Sequence, residues 1–168
     1  ISTKDFKAYD NYIQAKNLFL EATEKEELEK AEQLFMISLA SDPKFSLAIA
    51  GLCQTYLKQY EQQSTLDSFN EAKTQCGTLL TIGQLKAEGY IALADLNRIS
   101  GKHIEALAIY EQALTLRPDD LEAISGLATS NQALKRYDKA ESLFRKIVSL
   151  EPGYWRNYSE LGNFFFSM

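Results

Sequence analysis

The sequence is poor in the residues that most enzyme and metal chemistry needs. His103 is the only histidine among 168 residues, so Ser-His and Cys-His catalytic pairs and multi-histidine metal sites lack their parts. His103 follows Gly101-Lys102, which interrupts a helical pattern, and we expect it to be a turn residue. Gly101-Lys102 also lacks the preceding spacing of a phosphate-binding loop. The sequence therefore predicts no enzyme, no cofactor and no metal site.

Long apolar runs and an excess of positive charge are missing as well. No run of about eighteen apolar residues is present, and the N-terminus lacks the apolar segment of a signal peptide. The net charge of -5 and the pI near 5.0 argue against binding the phosphates of nucleic acid. We expect a soluble chain, cytoplasmic by preference, or periplasmic if the parent protein has a membrane anchor. Because the chain begins at Ile1, we expect it to be a segment of a longer protein.

The sequence contains enough apolar residues for a core, since 45% of its residues are hydrophobic and 24% are charged. These apolar residues are arranged in a repeat. In residues 87–120 apolar side chains recur at spacings of three and four, pause at Ser100-Gly101, recur again and stop at Pro118. Such spacing places side chains on one face of a helix, and proline cannot continue a helix. Each unit is therefore predicted to be a helical hairpin.

The same pattern returns at a step of 34 residues. Its second half carries an alanine in each unit, at Ala31, Ala72, Ala106 and Ala140. We expect paired helices to approach closely at these alanines. The first half of the second unit needs a step of 41, so seven extra residues lie between Leu57 and Glu71, and we expect a longer hairpin loop there. Capping signals at Ser2–Asp5 and Thr23–Glu26 predict a first helix from about residue 3 to residue 22 and a second one after Thr23.

Three segments match a known repeat pattern: Tyr158-Ser-Glu-Leu161-Gly162-Asn-Phe-Phe165, Ala140-x3-Phe144 followed by Pro152, and Ala31-x3-Phe35 followed by Pro43. In these segments the chain resembles the tetratricopeptide repeat (TPR) family. The resemblance implies an all-α, right-handed solenoid of antiparallel helix hairpins with about nine helices, in one domain spanning residues 1–168. The units are about 12–45, 46–86 with the insertion, 87–120, 121–154 and a half unit at 155–168. Residues 48–56 also resemble the TPR region of bacterial signalling proteins: membrane-linked regulators, cyclases and Ser/Thr kinases.

Cys53 and Cys76 are too few to indicate a disulfide framework. The repeat places Cys53 near the partner helix and Cys76 at the aromatic position of the same hairpin, so the two thiols can be neighbours. A free cysteine packs as a small hydrophobe, and we expect both to be buried and reduced. The sequence leaves open whether they can pair.

In this family the first helices of successive units line a concave groove that takes peptides or helices of partner proteins. The resemblance therefore implies a protein-interaction scaffold with a protein or peptide partner and no nucleic acid or membrane insertion. The alternative is a non-catalytic sensory or regulatory segment of a larger bacterial signalling protein that self-associates. The partner-binding positions carried over from the family are Ile13, Lys16, Leu20, Leu47, Gln54, Leu57, Lys58, Glu88, Ile91, Asp95, Arg98, Ser125 and Thr129.

The half unit at the C-terminus lacks a second helix of its own. Tyr158, Leu161 and Phe165 occupy positions that would normally be buried against that helix, so an apolar face is expected to be open. Large exposed apolar patches mark contact sites. Continuation of the chain, repacking of the helix and a homodimer through the C-terminal helix are the alternatives, and self-association is predicted at these three residues.

Overall fold

The computed structural model describes residues 3–82 and 85–167, and every regular element in that part of the chain is an α-helix. The prediction of an all-α fold built from helical hairpins is confirmed. The helices are α1 (Phe6–Glu21), α2 (Lys25–Ser41), α3 (Ser46–Gln63), α4 (Leu66–Leu79), α5 (Ala87–Ile99), α6 (His103–Leu116), α7 (Leu121–Ala133), α8 (Tyr137–Leu150) and α9 (Trp155–Phe166). None of them is long and apolar enough to cross a membrane.

The chain divides into two compact units, Ile1–Ala92 and Leu93–Met168, with the boundary inside α5. In the first unit α1 pairs with α2 and α3 pairs with α4, while α2 also packs on α3. In the second unit α7 pairs with α8 and packs on α6, and α8 contacts α9. Each hairpin therefore buries the apolar face that it cannot cover alone. The finer division into repeat units stays a prediction.

α1 begins at Phe6, about three residues later than predicted, and α2 begins at Lys25. Asp5, rather than Ser2, caps α1, because its carboxylate accepts from the backbone N–H of Ala8 at 2.7 Å; Ser2 lies outside the described residues. At α2 it is Glu27, not Glu26, that reaches back and accepts from the N–H groups of Thr23 and Glu24. These two backbone hydrogen bonds lower the pKa of Glu27.

The seven extra residues of the second unit extend a helix instead of forming the predicted loop. α3 continues to Gln63, and the chain turns at Ser64, whose φ of 54° is left-handed. The C-terminal turns of α3 are stabilised from α2, since the carboxylate of Glu32 accepts from Tyr56 Oη at 3.1 Å and from Gln59 Nε2 at 2.8 Å. α3 has 18 residues and is longer than α4, its hairpin partner, which has 14.

Small residues face aromatic rings where one hairpin packs on the next. The four repeat alanines are fully buried, as predicted. A Cβ placed on Gly51 would overlap the ring of Phe35, and a Cβ on Gly126 would overlap the ring of Tyr110. Both rings have no exposed surface. Close packing between hairpins therefore requires glycine at these two positions.

The corresponding place in the second hairpin holds sulfur instead of a ring. Cys76 lies where the other hairpins have an aromatic residue, and its Sγ is 3.4 Å from the carbonyl oxygen of Ala92. Cys76 is joined to Cys53 by a disulfide bond, with the two Cα atoms 5.4 Å apart. The expectation of two reduced cysteines was wrong, because the α3–α4 pairing brings their side chains into bonding contact.

Candidate functional site

Exposed apolar residues of the first unit form a stripe along α1. Phe6, Ile13 and Leu20 are 84%, 38% and 42% exposed. They are seven residues apart, about two helical turns, so they share one side of the helix. The other side of α1 carries the buried residues Ala8, Tyr12, Ala15 and Phe19. α1 thus has two apolar faces, one in the core and one in solvent, and we call the three exposed residues the α1 stripe.

Positive charge lies beside the C-terminal end of this stripe. Lys58 on α3 donates from Nζ to the carbonyl oxygens of Phe19 at 3.1 Å and Ala22 at 2.8 Å. Those carbonyls belong to the end of α1, where the helix dipole favours a cation. The ammonium groups of Lys58 and Lys16 also lie 5.1 and 5.4 Å from the centre of the Phe19 ring. Lys58, predicted to contact a partner, is therefore also part of the packing between α1 and α3.

The other predicted partner-binding residues of the first unit have much less surface. Glu88 is half-buried, as are the two lysines. Four of the predicted positions are buried outright, and Ile91 has no exposed surface at all: Leu47, Gln54, Leu57 and Ile91. The resemblance to the TPR family implied that these residues line a groove, but in this unit they are buried. They belong to the core of the unit.

In the second unit the predicted partner-binding residues are polar and half-buried: Asp95, Arg98, Ser125 and Thr129. Tyr110 donates its hydroxyl to Asp95 Oδ1 at 2.5 Å, and Arg98 Nε lies 3.8 Å from the same oxygen. Burial, followed by the charge of Asp95, raises the pKa of Tyr110. Thr129 donates to the carbonyl oxygen of Ser125 at 2.9 Å. These side chains form internal hydrogen bonds and leave a polar surface.

The C-terminal helix presents aromatic residues to solvent. Tyr158 and Phe165 are 50% and 42% exposed, and so is most of Trp155 and Phe166. Leu161, predicted to be open, is half-buried and packs against the core of the second unit. Two of the three residues of the predicted open face are therefore exposed, and two aromatic neighbours extend it.

α9 docks on α8 through a residue that the sequence did not single out. Phe164 is 1% exposed, and its ring centre lies 5.4 Å from that of Phe144. Counting 34 residues on from Gly126 leads to Glu160, so α9 has a long acidic side chain where α7 has the glycine that accepts the Tyr110 ring. Ser125 Oγ donates to Glu160 Oε2 at 3.3 Å, and burial raises the pKa of Glu160. At this position α9 therefore differs from α7 in its contact with the preceding hairpin.

The arrangement of polar groups favours contacts over chemistry. His103 is the first residue of α6 rather than a turn residue. Among the described residues, no group of three His, Cys, Asp or Glu side chains could hold a metal ion. Carboxylates such as Asp5 and Asp120 cap helices, with Asp120 accepting from the N–H of Ala123 at 3.0 Å.

Comparison with known proteins agrees with this architecture. Residues 98–162 match a tetratricopeptide repeat family, and no curated protein matches the sequence significantly. A thermophilic TPR protein of Thermus thermophilus, TTC0263, is similar at 21% identity and a TM-score of 0.73, over 96% of this chain and 82% of that one. YrrB, described as a TPR protein with an unusual peptide-binding site, is similar at 20% identity and a TM-score of 0.54, over 95% of this chain and 77% of that one. MamA of Desulfovibrio magneticus RS-1 is similar at 14% identity and a TM-score of 0.58, over 92% of this chain and 84% of that one.

Proposed function

Since residues 98–162 match tetratricopeptide repeats and the fold is that of TPR proteins, we propose that the chain is a non-catalytic scaffold that binds a segment of a partner protein on the α1 stripe. The observation that carries this proposal is the set of three exposed apolar side chains at seven-residue spacing on a helix whose other side is already buried. A helix of a globular unit needs only one apolar face for folding. The second face is therefore available for a partner.

The chemistry of the stripe indicates what the partner segment should offer. An amphipathic helix that places apolar residues at every second turn can lie along Phe6, Ile13 and Leu20, as in helix-in-groove recognition. An acidic residue at its centre would meet Lys16, which lies on the same side of α1. The predicted partner-binding residues of the second unit, among them Asp95 and Ser125, are polar and half-buried. Among the predicted partner-binding positions, only Ile13 and Leu20 are exposed apolar side chains. We therefore place the anchoring contacts on the first unit.

A protein partner is also supported by the peptide-binding site of the structural neighbour YrrB. The net charge of -5 disfavours a nucleic acid partner, because binding to phosphates requires a basic surface. A role as the regulatory segment of a larger signalling protein would use the same surface. One experiment tests both roles: it identifies the protein that binds and asks whether binding depends on the α1 stripe.

The test compares two double variants that differ only in where an exposed apolar pair is replaced. Ile13→Glu with Leu20→Glu changes the stripe, and Met36→Glu with Ile37→Glu changes two residues of α2 that are similarly exposed, at 51% and 44%. Proteins cross-linked to the wild-type chain are identified by mass spectrometry. We expect the stripe variant to lose a partner that the α2 variant retains, because a few residues typically carry most of the binding energy of an interface.

Circular dichroism spectra and thermal unfolding of both variants serve as the folding control. All four replaced residues are exposed, so both variants should unfold within a few degrees of the wild type. If a folded stripe variant still binds the same partners as the wild type, the α1 stripe is not the binding site. Equal loss in both variants would show that the added negative charge, and not the stripe, causes the effect.

A further inference from the structure

The Cys53–Cys76 disulfide lies in the interior of the first unit. Both cysteines have no exposed surface, and the bond joins α3 to α4 across 23 positions of sequence. Its sulfur atoms approach the backbone of α5, at 3.4 and 4.0 Å from the carbonyl oxygen of Ala92. Three helices therefore meet at this one covalent link.

The link stands where the repeat elsewhere has an aromatic ring. In the first hairpin Phe35 fills this place and faces Gly51, and in the third hairpin Tyr110 fills it and faces Gly126. In the second hairpin the ring is replaced by Cys76 and the glycine by Ala92. Where the ring is present the facing residue lacks a Cβ, and where the ring is absent the facing residue has one. The loss of the ring on one side of the contact is thus accompanied by a larger residue on the other side.

We propose that this disulfide is an oxidative modification that the chain acquires while it folds, in an oxidising compartment, and that it takes over the packing role of the missing ring. The reaction is an exchange with a small disulfide such as oxidised glutathione. The two thiols lose two protons and two electrons as the sulfur–sulfur bond forms, and the oxidant leaves as two thiols. Disulfides of this kind persist outside the reducing cytosol.

Burial determines when the exchange takes place. Thiol–disulfide exchange needs a thiolate to reach a sulfur atom in line with the bond it breaks. In the folded unit neither sulfur has any exposed surface, so oxidation precedes the closure of α3 on α4, and reduction requires that pair to open. The bond is therefore structural and protected, in contrast to the exposed low-pKa cysteines of redox sensors.

The first measurement is the redox state of the two cysteines. The whole chain is produced once with export to an oxidising compartment and once in a reducing cytosol, and each sample is alkylated under denaturing conditions before intact-mass analysis. We expect no alkyl adduct on the exported chain unless it is first reduced, and two adducts on the cytosolic chain. Two adducts on the unreduced exported chain would overturn the proposal.

The second measurement asks whether the bond replaces the ring. Cys53→Ala with Cys76→Ala should lower the melting temperature by about 5–10 °C, the shift expected for a disulfide closing a loop of this size, and reduction of the wild type should give a similar shift. Cys53→Ala with Cys76→Phe and Ala92→Gly installs the ring and its facing glycine. We expect it to melt above the double-alanine variant and to be unaffected by reductant.

If the variant that carries the ring does not fold, the comparison of oxidised and reduced wild type still tests the proposal. A wild-type melting temperature that is the same in oxidised and fully reduced samples would show that the bond has no packing role. Reduction of the native chain as fast as that of the denatured chain would contradict the protected site. A slow native reaction that accelerates with denaturant supports it.

Discussion

At the scale of single residues, the fit between hairpins depends on the absence of one carbon atom. Gly126 lies against the ring of Tyr110, which is fully buried and whose hydroxyl is bonded to Asp95. The ring is therefore held at both its face and its tip and cannot move aside without losing a hydrogen bond. A glycine in a helix, which usually weakens it, is here required by packing.

Gly126→Ala is expected to destabilise the chain by about 1–3 kcal/mol, the usual cost of overpacking a core. The matched control is Gly162→Ala in α9, where an added Cβ has nothing within 4 Å. That variant should be stabilised by up to about 1 kcal/mol, since alanine is the better helix former. Urea unfolding of both variants measures the difference. Equal shifts of the same sign would show that the Gly126 contact does not limit packing.

At the scale of helices, side chains from neighbouring elements decide where a helix ends and how it docks. Lys58 satisfies carbonyl groups at the C-terminus of α1, and Glu32 on α2 holds the last turns of α3. In each case the side chain that makes the hydrogen bonds belongs to a neighbouring helix: Lys58 of α3 bonds α1, and Glu32 of α2 bonds α3. The ends of these helices are therefore a property of the packed unit.

The docking of α9 is expected to weaken as pH rises, because of Glu160. Burial raises the folded-state pKa of this carboxyl above its ordinary value of 4.5, so the folded state favours the protonated form. The stabilisation is fully present below the ordinary value and is lost as pH rises through the folded-state pKa. Glu160→Gln, which keeps an acceptor for Ser125 but cannot ionise, should remove this pH dependence and stabilise α9 at neutral pH.

Hydrogen exchange of the α9 amides as a function of pH measures this effect, and the fluorescence of Trp155, the only tryptophan, reports on the same helix. Glu151→Gln is the control, because Glu151 is exposed just before α9. It should keep the wild-type pH profile. If Glu160→Gln and wild type show the same profile, the docking of α9 does not depend on ionisation of Glu160.

At the scale of the whole molecule, the exposed aromatic residues of α9 lead to a prediction of self-association. Tyr158 and Phe165 are exposed together with Phe166, and apolar surface of this kind is removed from water by association. Sedimentation velocity over a range of concentrations should show dimer at the upper end. Tyr158→Ser with Phe165→Ser should shift the chain towards monomer. The control, Leu66→Ser with Leu80→Ser, replaces two leucines that are each 72% exposed, one at the start of α4 and one just after its end, and should not. A wild type that is monomeric throughout contradicts the prediction.

The sequence alone was sufficient for the fold class and for much of the core. The 34-residue period and the spacing of apolar residues predict paired helices, and the repeat alanines are buried as expected. These features are readable because spacing along the chain determines which residues share a face of a helix. Of the three residues predicted to form an open face on α9, Tyr158 and Phe165 are exposed and Leu161 is half-buried.

Tertiary structure decided which faces remain in water and which side chains react. The resemblance to the TPR family implied groove positions at Ile91 and Leu57 as well as at Ile13 and Leu20, yet only the latter pair is exposed. The hydrogen bonds from α3 to Glu32 and the pairing of Cys53 with Cys76 likewise join residues that are distant in sequence. Periodicity assigns a residue to a side of its own helix, but burial, helix ends and bond formation depend on what the adjacent helices bring to that side.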